Sequence, residues 1–190
     1  APTQGVAITS EDLNFARFKE NEYDLIVSMA ILHHIVNVDQ LLEQINRALT
    51  PNGRFVVLDY IGEERFQWRE DKRQFINGLL RRIPPKYLRF PFAGIDAVHL
   101  GRLSPFEAVT STRLPAAFER HLRPLEVRTG HAVLFPTAQY LRARYLSEDN
   151  PIVDQLIAAD REATQLGLQP AAIAGVYAKR TDSEPVRSPA

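Results

Sequence analysis

Two nearly continuous apolar runs, separated by one amphipathic stretch, dominate the first third of the chain. YDLIVS, at 23–28, has strand length and carries β-branched Ile26 and Val27. Downstream, Val38, Leu41, Leu42, Ile45 and Leu49 recur on one face of a predicted helix. Asn37, with Gln40 three residues on, reads as a capping box. Asp39 in the first turn and Arg47 near the end complement the helix dipole. Thr50-Pro51-Asn52-Gly53 is a breaker cluster, and RFVVLDYI, at 54–61, is a second buried strand. Strand, helix and strand at this spacing make a βαβ unit. Runs apolar on both faces indicate a parallel sheet covered on both sides, joined by a right-handed crossover. Ligands of such sheets bind outside the carboxyl ends of the strands. Here those ends are Ser28 to His34 and Asp59 to Gly62.

The pattern is less regular elsewhere. GVAIT at 5–9 predicts a short strand, followed by the polar turn SEDLN. Residues 65–84 predict a helix ended by Pro84-Pro85, and 91–111 a loop with one short helix. A helix is expected over 114–122, a strand over 125–135 and a helix over 136–146. Asn150-Pro151 starts a further helix by cap and first-turn proline, and Gly167 ends it. AIAGVYAKR is a last strand, and 181–190 is expected to be a disordered tail. No internal repeat or linker divides this single domain.

Composition narrows the function. Lys plus Arg equals Asp plus Glu at 23 each, so the chain lacks the basic excess of nucleic-acid or anionic-lipid binders. There is no cysteine, which removes disulfides and thiolate metal sites. No apolar run approaches the length of a membrane span, and APTQGVAITS is not a signal peptide. The expectation is a cytoplasmic protein with neither nucleic-acid nor membrane partner.

Residues 24–62 resemble class I S-adenosylmethionine-dependent methyltransferases. YDLIVSMAILHHI is similar to the family's fourth strand and the turn after it; LLEQINRALTPNGRFVVLDYIG is similar to the following helix and fifth strand. SEDLN resembles the segment after the third strand, and AGVYAKR the final antiparallel strand. The resemblance implies a Rossmann-like α/β sheet with helices on both faces and a helical acceptor-side insertion within 69–166. It also implies S-adenosyl-L-methionine as cofactor and a small or carrier-bound methyl acceptor. Nothing before Asp12 reads G-x-G-x-G, and the acidic residue for the ribose hydroxyls is missing too. Residues 1–180 are therefore expected to be the C-terminal portion of the domain, lacking its N-terminal strands, in a fragment of a longer enzyme. A nicotinamide-dependent oxidoreductase is a rival reading, though it would also need a glycine-rich turn and a catalytic Tyr/Lys or His/Asp set. A non-catalytic scaffold with a decayed cofactor site is another.

By resemblance, Asp12 accepts the adenine amino group, with the Leu13 amide beside it; the alternative for Asp12 is a plain turn residue. Ser28 and Met29 lie along the methionine part of the cofactor. His33 is the candidate general base, since a near-neutral imidazole can take a proton from a hydroxyl or amine. His34 matches the family's common structural position and is placed on the acceptor side. So are Asp59, Tyr60, Arg65 and Trp68, with the Tyr60 ring able to face a sulfonium charge. The alternative for both histidines is helix orientation and packing. Adjacent residues do not readily converge on one ion, so no metal is expected. Arg81, Arg82, Lys86 and Arg89 read as a solvated face.

Overall fold

The computed structural model describes residues 5, 7–95, 106–142, 147 and 150–181. Its sheet has four strands: β1 (Tyr23–Met29), β2 (Leu49–Tyr60), β3 (Leu122–Gly130) and β4 (Ala172–Lys179), in the order β1-β2-β4-β3. β1 and β2 are parallel, as the paired apolar runs predict. β4 is antiparallel to both its neighbours and lies between β2 and β3 rather than at the edge.

Helix α1 (Val38–Ala48) connects β1 to β2 and buries Val38, Leu41, Leu42, Ile45 and Ala48. It forms without the expected capping box. Asn37 makes no side-chain cap, and Gln40 Nε2 instead donates to the Ala16 carbonyl at 3.2 Å. The breaker cluster also behaves differently from a simple helix stop. Pairing skips from Tyr23↔Leu49 to Leu25↔Arg54, so residues 50–53 bulge from the start of β2. Gly53 is required there, because a Cβ would lie 2.8 Å from the Tyr23 carbonyl oxygen.

Helix α3 (Leu114–His121) packs with α1 on one sheet face, over Phe55, Val57, Ile173 and Tyr177. Helices α2 (Glu70–Arg82), α4 (Leu134–Ala138) and α5 (Pro151–Gln165) form a second core around Tyr60, Phe66 and Trp68. Asn150 caps α5 by accepting from Ile152 N at 3.0 Å, and Gly167 follows at φ +75°. Within the expected insertion, residues 114–130 thus return to the sheet, and among the described residues α2, α4 and α5 build the separate helical layer. That layer covers the second sheet face near Tyr60 alone. Towards β1 the same face leaves Leu25, Val27, Met29 and Leu58 exposed, at 57, 56, 66 and 42%.

Three expectations need correction. Residues 7–9 form no strand: they have no neighbour to pair with, and Ile8 is 92% exposed. The strand expected at 125–135 starts and ends earlier, because Gly130 pairs with Ala172 at the end of the ladder and His131 turns the chain at φ +57°. The helix expected over 136–146 is seated at Leu134–Ala138, with 143–146 outside the described residues. Residues 96–105 of the 91–111 loop, with His99, and the tail beyond Thr181 also lie outside them.

Burial pushes the Tyr60 and Tyr177 hydroxyls well above the usual tyrosine value of 10.0. The sign follows from linkage. Above pH 10 the unfolded chain loses these protons while the folded chain keeps them. Their contribution is therefore complete below pH 10 and is lost as pH rises. Two such groups give a slope of about 2.7 kcal/mol per pH unit. Urea titrations between pH 9 and 11.5 should show these contributions falling, and Tyr177→Phe should remove about 1.4 kcal/mol per pH unit of the slope. An unchanged slope in the variant would refute the assignment.

Candidate functional site

The carboxyl ends of β1 and β2 meet at a turn the sequence shapes closely. Ala30 follows β1 in the left-handed region, at φ +51°, and its N–H donates to the Leu58 carbonyl at 2.8 Å. A non-glycine residue in that conformation is held by its surroundings. The reversal leads into a 3-10 turn, Leu32–His34. Asp59, fully buried at the end of β2, closes the turn. Its Oδ2 accepts from Ile31 N (3.1 Å) and Leu32 N (2.8 Å); its Oδ1 accepts from Tyr60 N at 2.8 Å and lies 2.5 Å from His33 Nδ1. With three backbone donors on the carboxylate, the imidazole Nδ1–H is the fourth. That fixes the His33 tautomer and leaves Nε2 with a lone pair.

His34 is one-third exposed, and its ring lies against that of His33 with centroids 3.9 Å apart. His34 Nδ1 donates to the Phe106 carbonyl at 3.3 Å. Thr110 holds the 106–111 segment onto the turn: its N–H and hydroxyl donate to the His33 carbonyl, and the hydroxyl also reaches the Leu32 carbonyl. Glu107 is thereby brought to both imidazoles. Its Oε1 is 3.5 Å from His33 Nε2 and 3.8 Å from His34 Nε2. The adjacent histidines thus do converge, contrary to expectation, because the tight turn tilts their rings by only 42°.

The other expected residues are spread around this centre. Ser28 is buried, and its Oγ has no hydrogen-bond partner among the described residues. Met29 is exposed beside it. Asp12 lies in a turn, its Oδ1 accepting from Asn14 N and Nδ2, both at 2.9 Å. The Asn14 N–H, then its side chain, hold the Asp12 carboxyl below the usual value. Asn14 Oδ1 in turn accepts from Asn37 N, three residues past His34, and Leu13 packs against the core that includes Leu32 and Ile35. Tyr60 and Trp68 are walled in: Trp68 Nε1 donates to the Tyr60 hydroxyl, which donates to the Glu63 carbonyl, each at 3.2 Å. Gly62 lies so close to that hydroxyl that a Cβ would collide with it. Arg65 is exposed, at φ +54°, with its N–H on the Ala108 carbonyl.

Sequence reasoning missed Glu107, Thr110 and a buried pair, Glu63 and Lys72, joined at 2.8 Å. Glu107 has no periodic marker and meets the histidines across more than seventy residues. S-adenosylmethionine would find a polar anchor in the unpartnered Ser28 hydroxyl, so the residues present fit part of it.

Comparison with known proteins bears on this arrangement. Residues 1–57 match a family described as a methyltransferase domain. The human and mouse proteins named arginine-hydroxylase NDUFAF5, mitochondrial, are each 38% identical over 58 residues, covering 30% of this chain and 17% of theirs. The chain thus spans only a small part of the relatives it matches. An S-adenosylmethionine-dependent methyltransferase from Mesorhizobium loti is similar at 17% identity and TM-score 0.46, over 94% of this chain and 71% of that one. The geranyl diphosphate C-methyltransferase of Streptomyces coelicolor A3(2) is similar at 13% identity and TM-score 0.46, over 90% and 52%. Among the described residues, no helix is long and apolar enough to cross a membrane. The stretch that matches the methyltransferase-domain family runs through β1 and α1 and into β2.

Proposed function

We propose that this chain takes part in methyl transfer from S-adenosylmethionine to an oxygen, nitrogen or carbon nucleophile on a small or carrier-bound acceptor. One observation carries the reading: family sequence feeds a parallel strand pair whose carboxyl ends hold an oriented His33–Asp59 pair. The cofactor supplies a methyl group on a sulfonium, displaced in line by the acceptor. Asp12 and Leu13 would hold its adenine, and Ser28 and Met29 its methionine portion. His33 Nε2 would take the acceptor proton, with Asp59 orienting the ring and stabilising its charge. His34 and Arg65 would contact the acceptor, and Tyr60 and Trp68 would shape the dry wall behind it. Residues 1–180 would form the C-terminal portion of the domain, completed by an upstream segment. The exposed Leu25, Val27 and Met29 support that completion.

The test is calorimetric titration of S-adenosylhomocysteine into the natural polypeptide containing this chain, with a labelled-methyl assay alongside. Saturable binding is expected, and His33→Gln should retain it while losing transfer. No binding by that polypeptide would overturn the reading. A second reading has one observation in its favour, the 58-residue match to proteins named arginine-hydroxylases. Product mass separates the two: a gain of CH2 means methylation, and a gain of one oxygen means hydroxylation.

A further inference from the structure

We propose that His33, His34 and Glu107 bind one divalent transition-metal ion. The inference does not rest on methyl transfer and can be tested without any acceptor.

Hydrogen bonding around the two rings carries it. A carbonyl oxygen only accepts, so His34 Nδ1 is protonated towards Phe106 O. The Asp59 carboxylate, already accepting three backbone N–H bonds, takes the Nδ1–H of His33. Both Nε2 atoms therefore present lone pairs, and both face Glu107 Oε1. At 3.5 and 3.8 Å these contacts are not short hydrogen bonds. With both imidazoles neutral, three acceptors aimed at one point repel one another unless a metal ion or a shared proton lies between them. All three ligand atoms fall within 4.8 Å of one another. Ligands about 2.1 Å from a tetrahedral ion are about 3.4 Å apart. The two histidine–carboxylate spacings are close to that, and the histidine–histidine spacing, within 4.8 Å, contracts by up to about 1.4 Å when an ion binds. His34, one-third exposed, has room to move.

Each ring also has its second nitrogen fixed by a carboxylate or a carbonyl, the outer shell that metal-bound histidines use to set tautomer and orientation. Thr110 ties the Glu107 segment to the histidine turn. Ala30 and Ala108 hold left-handed backbone on either side, both at φ +51°. Two imidazoles and one carboxylate suit zinc, iron(II), cobalt or manganese better than calcium. Three protein ligands leave at least one position open for water or an acceptor atom. Ion and proton compete for the same His33 lone pair, so with the ion bound, deprotonation of the acceptor would pass to the metal.

The probe is Co²⁺, titrated into chelator-treated protein while visible d–d absorption is followed, with Zn²⁺ as competitor. One equivalent is expected to bind, with Zn²⁺ abolishing the bands. His34→Ala and Glu107→Gln alter partly exposed side chains and should keep the far-ultraviolet circular dichroism. Each should weaken Co²⁺ affinity by at least about tenfold, the lower end of what even outer partners cost. His121→Ala, remote from the cluster, should change nothing. Absence of saturable binding by the folded wild-type chain would overturn the proposal. So would unchanged affinity in the His34→Ala/Glu107→Gln double variant, or loss of binding in His121→Ala.

Discussion

Asp59→Ala will lower stability by about 3–5 kcal/mol, the scale of stripping a buried charged group of its partners. The side chain is fully buried and accepts four hydrogen bonds. Alanine would leave the N–H groups of Ile31, Leu32 and Tyr60 unpaired, at about 1–3 kcal/mol for each donor that water cannot reach. His33 would lose its orienting partner in the same step. A domain is stable by only about 5–15 kcal/mol, so the variant should be close to unfolding. Asp59→Asn keeps one acceptor oxygen but turns an amide group towards donors, and should lose an intermediate amount. Urea denaturation followed by circular dichroism measures both. An Asp59→Ala midpoint equal to that of wild type would show that the turn is held by something else.

The second large effect is expected at Lys72. Its ammonium is almost wholly buried and donates to Glu63 Oε2 at 2.8 Å, while Glu63 Oε1 has no partner among the described residues. Burial, the dominant influence, pulls the Lys72 pKa below its ordinary value, and Glu63 opposes that shift. Desolvation has therefore consumed most of the attraction. Removing one partner leaves the other charge stranded, so Lys72→Ala should cost about 3–5 kcal/mol. Lys72→Met with Glu63→Gln removes both charges and roughly preserves side-chain volume. The double variant should recover most of that loss. A double-mutant cycle in urea would read the coupling; additive single losses would contradict it.

The strand–helix–strand core was legible because each element announces itself locally. Leu25 to Val27 and Phe55 to Leu58 are unbroken apolar runs, and α1 shows its buried stripe in five residues. Asn150 and Gly167 marked α5 through the caps themselves. The capping box failed because Gln40 found a tertiary acceptor in Ala16, which no local pattern reveals. His33, His34 and Asp59 were legible as a group because strand ends fix where they lie. Glu107 was not, since its loop is placed by Thr110 across more than seventy residues of chain. The burial of Tyr60 and Trp68 depends on α4 and α5, which arrive later still.

The position of β4 has a consequence for how the chain is made. β4 is the last of the described strands in sequence yet sits inside the sheet, paired with β2 on one side and β3 on the other. Lys179, at its end, donates to the Arg47 and Leu49 carbonyls and so finishes the carboxyl end of α1. Until residue 179 leaves the ribosome, β2 and β3 each carry a raw edge, and α1 lacks its closing cation. Closure joins segments more than a hundred residues apart, which makes it a slow, high-contact-order step. During synthesis those edges are open to pairing with other chains. Yield in cells should therefore depend on chaperones that hold nascent chains, more than the stability of the finished fold would suggest.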